Sequence, residues 1–344
     1  MSLANKVLLI YTGGTIGMNR NPRTGALEPL NFEHLLANVP ELNDFDVEIH
    51  THQFDPPIDS SDMSPQLWTD LVRIIAEKYR QYDGFVILHG TDTMAYTASA
   101  LSYMLENLTK PVILTGSQLP IGQLRTDGKE NLITSIEIAS AKRDDGRAMV
   151  PEVCIYFNGH LMRGNRCTKQ SADKFNAFES FNYAHLADAG INIDYYEERM
   201  LKPDFTRPMI PRYELDSSVL VFTIFPGIQE KQVRHILTAP DLRSIVMRTY
   251  GSGNAPQYPW LIDMLRKASD DGKIVINISQ CMAGSVEMGR YGTGYQLKEA
   301  KVISGYDSTV ESAVTKLMYL QGICSDPDEV RSYMSQSIRG EITL

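Results

Sequence analysis

The fold of this chain can be read first from Gly84-Phe85-Val86-Ile87-Leu88-His89-Gly90-Thr91-Asp92-Thr93. Residues 84–89 form a short run of apolar and β-branched side chains, which is typical of a strand buried on both faces. A segment with helical periodicity follows at 93–106. Strand, short loop and helix in this order are the repeating unit of a parallel sheet that is covered by helices on both faces.

The same unit recurs along the rest of the chain. In the first half the pattern predicts further helices at 64–81 and 127–141, and further strands at 6–11, 47–53, 111–115 and 153–157. Ser64 and Pro65 mark the start of the first helix, as a capping residue and a residue suited to the first turn. In the second half the pattern predicts helices at 229–237, 258–270 and 309–320, and strands at 219–225, 244–249 and 273–279.

The pattern breaks at residues 190–217. Residues 202–212 carry three prolines and have no apolar periodicity, which favours an inter-domain connection. We therefore predict a two-domain α/β protein. Its expected parts are an N-terminal domain at 1–190 with a doubly wound, mostly parallel sheet of the flavodoxin or Rossmann kind, a connecting segment at 191–217 and a smaller C-terminal α/β domain at 218–344.

Composition and charge exclude several classes of partner. The chain has 344 residues and a formal net charge of −9, whereas nucleic acids and anionic membranes attract basic surfaces. No signal-peptide pattern precedes the first predicted strand and no run approaches the length of a membrane span, so we expect a cytoplasmic protein. The four cysteines show no paired spacing. His50 and His52 share a face of one predicted strand but have no evident third ligand, so we expect no metal.

Three loops at the carboxyl ends of predicted strands combine glycine with hydroxyl side chains. In doubly wound folds, ligands bind beyond these strand ends. The loops read Tyr11-Thr12-Gly13-Gly14-Thr15-Ile16-Gly17, Leu88-His89-Gly90-Thr91-Asp92-Thr93 and Thr115-Gly116-Ser117-Gln118. Chance rarely places three such loops at one sheet edge, so we predict a site there.

Each feature of this predicted site has a plainer interpretation when it is taken alone. The first loop is equally consistent with a structural turn, although its glycine spacing matches neither dinucleotide nor P-loop patterns. Asp92 or Thr93 is expected to cap the next helix. His89 is expected to be a buried hydrogen-bonding residue and not a general base. Lys169 reads as a solvated surface lysine, but a lysine can accept the proton of a threonine if its neighbours favour the neutral form.

The first two loops resemble the two signature motifs of the bacterial L-asparaginase family. These motifs are Leu9-Ile10-Tyr11-Thr12-Gly13-Gly14-Thr15-Ile16-Gly17 and Gly84-Phe85-Val86-Ile87-Leu88-His89-Gly90-Thr91-Asp92-Thr93-Met94. Shorter matches cover most of the chain, at Asp59-Ser60-Ser61-Asp62-Met63, Thr115-Gly116-Ser117-Gln118, Arg163-Gly164-Asn165-Arg166, Tyr250-Gly251-Ser252-Gly253-Asn254-Ala255-Pro256 and Gln280-Cys281-Met282. The last two matches resemble the cytoplasmic, type I branch of the family.

The resemblance implies hydrolysis of L-asparagine to L-aspartate and ammonia, with a threonine nucleophile and no cofactor. It implies that Thr15 is the nucleophile, although either threonine has been argued to attack, and that Thr91, Asp92 and Lys169 form a second catalytic cluster. The residues that it implies for substrate binding are Ser60, Ser61, Thr91, Asp92, Ser117 and Asn254. The backbone amides of the loops at 90–91 and 116–117 are the candidate oxyanion donors.

The resemblance also implies assembly and regulation. Members of the family form homodimers, often paired into homotetramers, in which the loop at 251–254 of one subunit approaches the active site of another. Some type I members bind a second, activating asparagine, and the matching residues here are Thr168, Arg248, Ser279 and Cys281. The plainer alternative is that Arg248 pairs with an acidic neighbour and that Cys281 is a buried core thiol.

One departure and two alternative functions remain open. The family usually places a tyrosine on a lid about a dozen residues after the nucleophile, but the expected lid at 18–27 has no tyrosine. The amidase subunit of a tRNA-dependent amidotransferase is one alternative, although that subunit normally carries an extra N-terminal domain. A non-catalytic amino-acid-binding protein is the other, although binding alone does not need Lys169 beside two threonines.

Overall fold

The computed structural model describes residues 5–20, 27–29, 39–289 and 292–344. The chain divides into two compact units, Met1–Tyr213 and Glu214–Leu344. The boundary lies inside the segment at 191–217 that the sequence predicts to connect two domains. Residues 191–213 belong to the first unit, because a strand at Ile193–Tyr195 pairs with its main sheet.

The first unit is built on one eight-stranded sheet. Its order is β13-β12-β9-β8-β7-β5-β1-β4, and the five strands from β8 to β4 are parallel to one another. In chain order these strands are β1 (Asn5–Tyr11), β4 (Val47–Gln53), β5 (Gly84–Leu88), β7 (Val112–Thr115), β8 (Val153–Phe157), β9 (His160–Arg163), β12 (Ala187–Ala189) and β13 (Ile193–Tyr195). The shorter pairs are β2 (Met18–Arg20) with β3 (Leu27–Pro29), β6 (Leu105–Glu106) with β14 (Ile210–Pro211), and β10 (Thr168–Lys169) with β11 (Phe178–Glu179).

Helices cover this sheet, and apolar side chains from both layers form its core. The helices of the first unit are α1 (Pro65–Lys78), α2 (Met94–Met104) and α3 (Gly128–Ser140). All five residues of β5 and of β8 are buried, as expected for central strands of a covered parallel sheet. The prediction of a mostly parallel α/β sheet is confirmed, and each of its predicted strands lies within one residue of the observed bounds.

The sequence did not predict the antiparallel strands β9, β12 and β13, which extend one edge of the sheet. The two expected helix caps were wrong in their chemistry. Ser64 and Thr93 precede α1 and α2, but neither side chain makes a capping hydrogen bond. The Thr93 hydroxyl instead donates to the carbonyl of Ser60, because the loop at 59–63 packs against it.

The second unit carries its own parallel sheet, in the order β15-β16-β17-β18. Its strands are β15 (Val219–Thr223), β16 (Ser244–Thr249), β17 (Ile274–Ser279) and β18 (Ile303–Ser304). Its helices are α4 (Glu230–Leu237), α5 (Pro259–Asp270), α6 (Gly292–Glu299), α7 (Val310–Ile323) and α8 (Pro327–Met334). Across the described ranges, none of the helices is both long and apolar enough to cross a bilayer.

Candidate active site

The first two signature loops touch each other through their backbones. Thr12 follows β1, and both its amide and its hydroxyl donate to the carbonyl of Leu88 at the end of β5, at 3.0 Å each. Gly14 has a φ of 95°, and a Cβ there would lie 2.5 Å from the nitrogen of Gly90. Only glycine fits such a contact. Thr15 and Thr91 therefore each follow one of two touching glycines.

The loop before α1 closes one side of the same site. A Cβ on Gly90 would lie 2.5 Å from the hydroxyl oxygen of Ser60, which is buried. Asp59 accepts from the amide of Ser61 at 2.9 Å, and this bond fixes the turn that carries both serines. The amide of Ile58 donates to the carbonyl of Thr12 at 2.7 Å. The loop that carries Ser60 is therefore bonded to the first signature loop through Ile58, and the Ser60 side chain packs against Gly90 of the second.

Lys169 joins the second signature loop through its amine. Its Nζ donates to Oγ1 of Thr91 at 2.8 Å and to Oδ1 of Asp92 at 2.7 Å. The side chain of Lys169 is 19% exposed and that of Asp92 is 63% exposed, so the cluster opens to solvent on the carboxylate side. The Thr91 hydroxyl in turn lies 3.4 Å from the side-chain oxygen of Gln118. Lysine, hydroxyl and carboxylate thus form one connected group.

A short hairpin and a buried ion pair position Lys169. Lys169 lies opposite Phe178 in the pairing of β10 with β11. The motif just before β10 is anchored by Arg163, whose Nε donates to Glu152 at 2.7 Å, with both side chains almost fully buried. Because a buried ion pair of this kind is costly to break, it fixes the start of the hairpin. The residues at 163–166, which resemble a motif of the family, therefore serve to support the hairpin that carries Lys169.

The side chain of His89 fixes the peptide group between Gly90 and Thr91. Its Nδ1 donates to the carbonyl of Gly90 at 2.7 Å, and its Nε2 accepts from the hydroxyl of Thr97 at 2.9 Å. Thr97 accepts in turn from Nε1 of Trp68 at 3.0 Å. Burial lowers the pKa of His89 to about 4, so the imidazole is neutral near pH 7. The expectation that His89 is a buried hydrogen-bonding residue is confirmed.

The third loop is fixed by α3. Asp127 accepts from the amides of Gln118 and Leu119, at 2.9 and 3.1 Å for the shortest bond of each. Ser117 is buried and its hydroxyl donates to the carbonyl of Leu119 at 2.5 Å. Because the Ser117 hydroxyl donates its hydrogen to Leu119, its oxygen is available to a ligand as an acceptor. The amides of residues 118 and 119 already donate to Asp127, so they are not oxyanion donors.

The remaining predicted site residues are placed as follows. Thr168 precedes Lys169 in β10, and Asn254 closes a tight turn in the second unit, where it pairs with Tyr250. Arg248 and Ser279 lie at the carboxyl ends of β16 and β17. Cys281 is exposed, so its alternative interpretation as a buried core thiol was wrong. The expected lid at 18–27 falls mostly outside the described residues.

Sequence reasoning missed several residues that support this site. Side-chain bonds of Gln118, Trp68 and Thr97 support the second signature loop, and Asp127 supports the third loop. The only available signal was the spacing of Thr93 and Thr97 on one face of a helix. The periodicity of α1 places Trp68 on the apolar face of the helix. This agrees with the burial of the ring, but it does not predict the hydrogen bond that the indole N–H donates.

A hydroxyl bonded to an amine and next to a carboxylate, at the loop edge of a parallel sheet, is the arrangement of a hydrolase that uses a side-chain nucleophile. Two family models match the chain, "Asparaginase, N-terminal" at residues 6–201 and "Glutaminase/Asparaginase C-terminal domain" at residues 218–334. The chain therefore belongs to the asparaginase family.

Individual relatives agree with this assignment. L-asparaginase 1 of Escherichia coli is 44% identical over 346 residues, which cover 98% of each chain. The crystal structure of L-asparaginase I from Vibrio cholerae is similar with a TM-score of 0.89 and 43% identity over 99% of each chain. The L-asparaginase of Thermococcus kodakarensis is 34% identical, over 98% of this chain and 99% of that protein.

Proposed function

We propose that this protein hydrolyses L-asparagine to L-aspartate and ammonia. The observation that carries the proposal is the bonding of Lys169 to both Thr91 and Asp92, beside the glycine contact that brings Thr15 to the same edge. Its similarity over nearly the full length to L-asparaginase 1 of Escherichia coli supports asparagine as the substrate. No cofactor takes part in the proposed reaction.

The proposed chemistry proceeds through an ester on Thr15. Its hydroxyl oxygen attacks the side-chain amide carbon of asparagine as the hydroxyl loses its proton. Collapse of the tetrahedral intermediate breaks the C–N bond, and the departing nitrogen takes up a proton and leaves as ammonia. Water then attacks the ester carbonyl, releases L-aspartate and restores the Thr15 hydroxyl. Backbone amides at 90–91 and 116–117 stabilise the oxyanion in both steps.

Thr91, Asp92 and Lys169 assist this reaction as a second catalytic cluster. In this cluster the amine of Lys169, in its neutral form, takes the proton of the threonine hydroxyl. Asp92 gives its Oδ1 to Lys169 and has a second oxygen for the α-ammonium of the substrate. Ser60 and Ser61 bind the α-carboxylate, with further contacts from Thr91 and Ser117 and, in the proposed oligomer, from Asn254 of another subunit. Charge-assisted bonds at both ends fix the amide near Thr15.

We also propose that the protein is a cytoplasmic homo-oligomer, a dimer or a pair of dimers. In the second unit, the edge strand β15 exposes Leu220 and Val221 to about 39% each, and the following Phe225 to 48%. Exposed apolar side chains on an unpaired sheet edge are typical of a surface that another subunit covers. Closed two-fold symmetry is the commonest solution for such a surface.

The last part of the proposal is a second, activating asparagine site. Arg248 has a buried Nε that finds no partner within the described residues, and it lies on the strand next to Ser279. A guanidinium binds a carboxylate through two parallel hydrogen bonds. We propose that Arg248, Ser279 and Cys281 contact this asparagine, and that Thr168, which adjoins Lys169 in the chain, couples its binding to the catalytic lysine. Sigmoidal dependence of rate on asparagine, flattened in Arg248→Ala, is the expected result.

Ammonia release from asparagine tests the main proposal against its two alternatives. Wild type and Lys169→Met are assayed side by side with free asparagine, and binding of asparagine is measured separately. The wild type should release ammonia, and Lys169→Met should lose about 10²- to 10⁴-fold in turnover with only a modest change in binding. Binding without turnover in the wild type would favour the amino-acid-binding alternative. Turnover only with aminoacylated tRNA present would favour the amidotransferase alternative.

A further inference from the structure

Two histidines and an aspartate meet at the antiparallel edge of the first sheet. His160 begins β9 and lies opposite Asp188 of β12 in the pairing of these strands. His185 precedes β12 by two residues and Asp188 by three. One donor atom from each residue lies within 4.8 Å of the others. Within the described ranges, this is the group of three histidine, cysteine or acidic side chains that comes close enough together to share one ion.

The nitrogens of both imidazoles point at a single carboxylate oxygen. Nδ1 of His160 lies 2.7 Å from Oδ1 of Asp188, and Nδ1 of His185 lies 3.0 Å from the same oxygen. The two rings face each other with centroids 4.3 Å apart. We propose that His160, His185 and Asp188 bind one divalent transition-metal ion of the Zn²⁺ class. Two imidazoles and one carboxylate, with a further position open to solvent, are a ligand set that such ions favour.

A second layer of hydrogen bonds supports the metal interpretation independently of the three ligands. Nε2 of His185 lies 3.3 Å from Oε1 of Glu179, on the side of the ring away from Asp188. The hydroxyl of Tyr196 donates to Oδ2 of Asp188 at 3.0 Å. Metal-binding histidines commonly donate their other N–H to a carboxylate, and the free oxygen of a metal-binding carboxylate is commonly hydrogen-bonded. Both outer contacts are already in place here.

The cluster needs little rearrangement to accept the ion. Ligand atoms about 2.0–2.1 Å from a tetrahedral zinc lie about 3.3 Å from one another, so His160 and His185 need to move only a few tenths of an ångström away from Asp188. Each imidazole binds the ion through the lone pair of Nδ1 and carries its proton on Nε2. For His185 that proton then forms the bond to Glu179, which the present geometry already provides.

The charges around the cluster also favour a cation. Asp194 lies directly opposite Asp188 in the pairing of β12 with β13, so both carboxylates are on one face of the sheet. Glu179 adds a third negative charge. The guanidinium of Arg199 donates to the backbone carbonyl of His185 at 2.8 Å, stacks on the ring of Tyr196 and pairs with Glu198, which offsets its charge. Glu179 also lies opposite Thr168 in the pairing of β11 with β10. The proposed ion therefore lies beside β11, and β11 pairs with the strand that carries Lys169.

Zinc titration of the full-length chain by calorimetry tests this proposal without any measurement of catalysis. The background is Cys281→Ser, because the exposed thiol of Cys281 is itself a zinc ligand. We expect one Zn²⁺ to bind per chain, and no comparable binding of Mg²⁺, which prefers oxygen ligands. His160→Gln and His185→Gln should each weaken zinc binding at least tenfold, and Glu179→Gln roughly tenfold through the outer bond.

His52→Gln is the matched control, because His52 is an exposed histidine on another strand of the same sheet. Its zinc affinity should equal that of the background. Far-ultraviolet circular dichroism without metal checks that each variant is folded. His160→Gln, at the partly exposed start of β9, decides the matter if His185→Gln unfolds. The proposal is overturned if zinc does not bind, if His160→Gln binds zinc as tightly as the background, or if His52→Gln weakens binding as much.

Discussion

The two parallel sheets carry similar polar side chains at their carboxyl edges, and they use them differently. In the second unit, Thr249 donates to Asn277 at 2.6 Å, Asn277 donates to the carbonyl of Gly253 at 3.0 Å, and Ser279 donates to the carbonyl of Gly251 at 2.6 Å. These three side chains hold the turn at 250–254. In the first unit, Thr91 and Lys169 bond to each other and to an exposed carboxylate.

The difference lies in what the polar groups are bonded to. Hydroxyl and amide hydrogens that end on backbone carbonyls hold a loop, so their removal mainly costs stability, and only the oxygens of such groups stay available to a ligand. Groups that end on one another, in a cluster open to solvent, are available to a substrate. Hydroxyls at the end of a parallel strand therefore do not by themselves indicate catalysis, and the partners of each hydroxyl decide the assignment.

Among the changes that compare the two units, the largest effect is expected from one isosteric substitution in each unit. Thr91→Val should lower turnover of asparagine by roughly 10²-fold or more and leave the melting temperature nearly unchanged, because it removes a hydroxyl of the catalytic cluster. Thr249→Val should do the reverse. It leaves Asn277 without its donor and should cost about 1–2 kcal/mol of stability, with turnover within a few-fold of wild type. Equal losses of turnover in the two variants would remove the distinction between the two edges.

Two glycines test whether the contact between the two signature loops positions the catalytic residues. Gly14 and Gly146 both have positive φ, but a Cβ on Gly14 would meet the backbone of Gly90, whereas a Cβ on Gly146 would meet nothing within 4 Å. Both alanine variants incur the strain of the left-handed region, about 1 kcal/mol or more. Gly14→Ala should in addition lower turnover at least tenfold, measured by ammonia release. If Gly146→Ala lowers turnover as much, the loop contact does not position the catalytic residues.

Buried His89 gives the smallest expected effect and a defined pH window. Its pKa is lowered to about 4 when folded, against 6.5 for a free histidine, so between these values only the unfolded chain holds the extra proton. The protein should therefore lose stability as pH falls from 6.5 to 4, by roughly 3 kcal/mol from this residue.

Urea unfolding at pH 7 and pH 4 measures the effect of His89. The loss of stability on acidification should be smaller in His89→Gln than in wild type, while His52→Gln, which changes an exposed histidine, should behave as wild type. Identical acid sensitivity of wild type and His89→Gln would contradict the assignment of a neutral, buried imidazole.

The sequence could predict the elements whose signal is local. Most strands of the parallel sheets have continuous apolar runs, whereas the edge strand β4 alternates apolar and polar residues at its start. The observed bounds of β4, β8 and β16 equal the predicted ones. β9, β12 and β13 could not be predicted, because they are only three or four residues long and are defined by pairing with distant segments. The extent of the first unit beyond residue 190 depends on the same pairing.

The candidate site shows the same limit. The motifs predicted which loops lie at the sheet edge, and the resemblance associated Lys169 with Thr91 and Asp92. Neither could predict the chain of bonds from Trp68 through Thr97 to His89, because Trp68 and His89 are far apart in sequence and Trp68 reads as an apolar residue. The cluster of His160, His185 and Asp188 was missed for the same reason, since its geometry depends on antiparallel strands.

The central claim is that Thr15 is the nucleophile, and turnover of folded Thr15→Ala tests it most directly. Thr12→Ala is the control in the same loop, because the Thr12 hydroxyl donates to the carbonyl of Leu88, which also keeps its bond from the Thr12 amide. Thr15→Ala should lose about 10³-fold or more in kcat, since it removes the atom that forms the ester. Thr12→Ala should stay within a few-fold of wild type. Near-normal turnover in Thr15→Ala would contradict the account and transfer the nucleophile's role to Thr91.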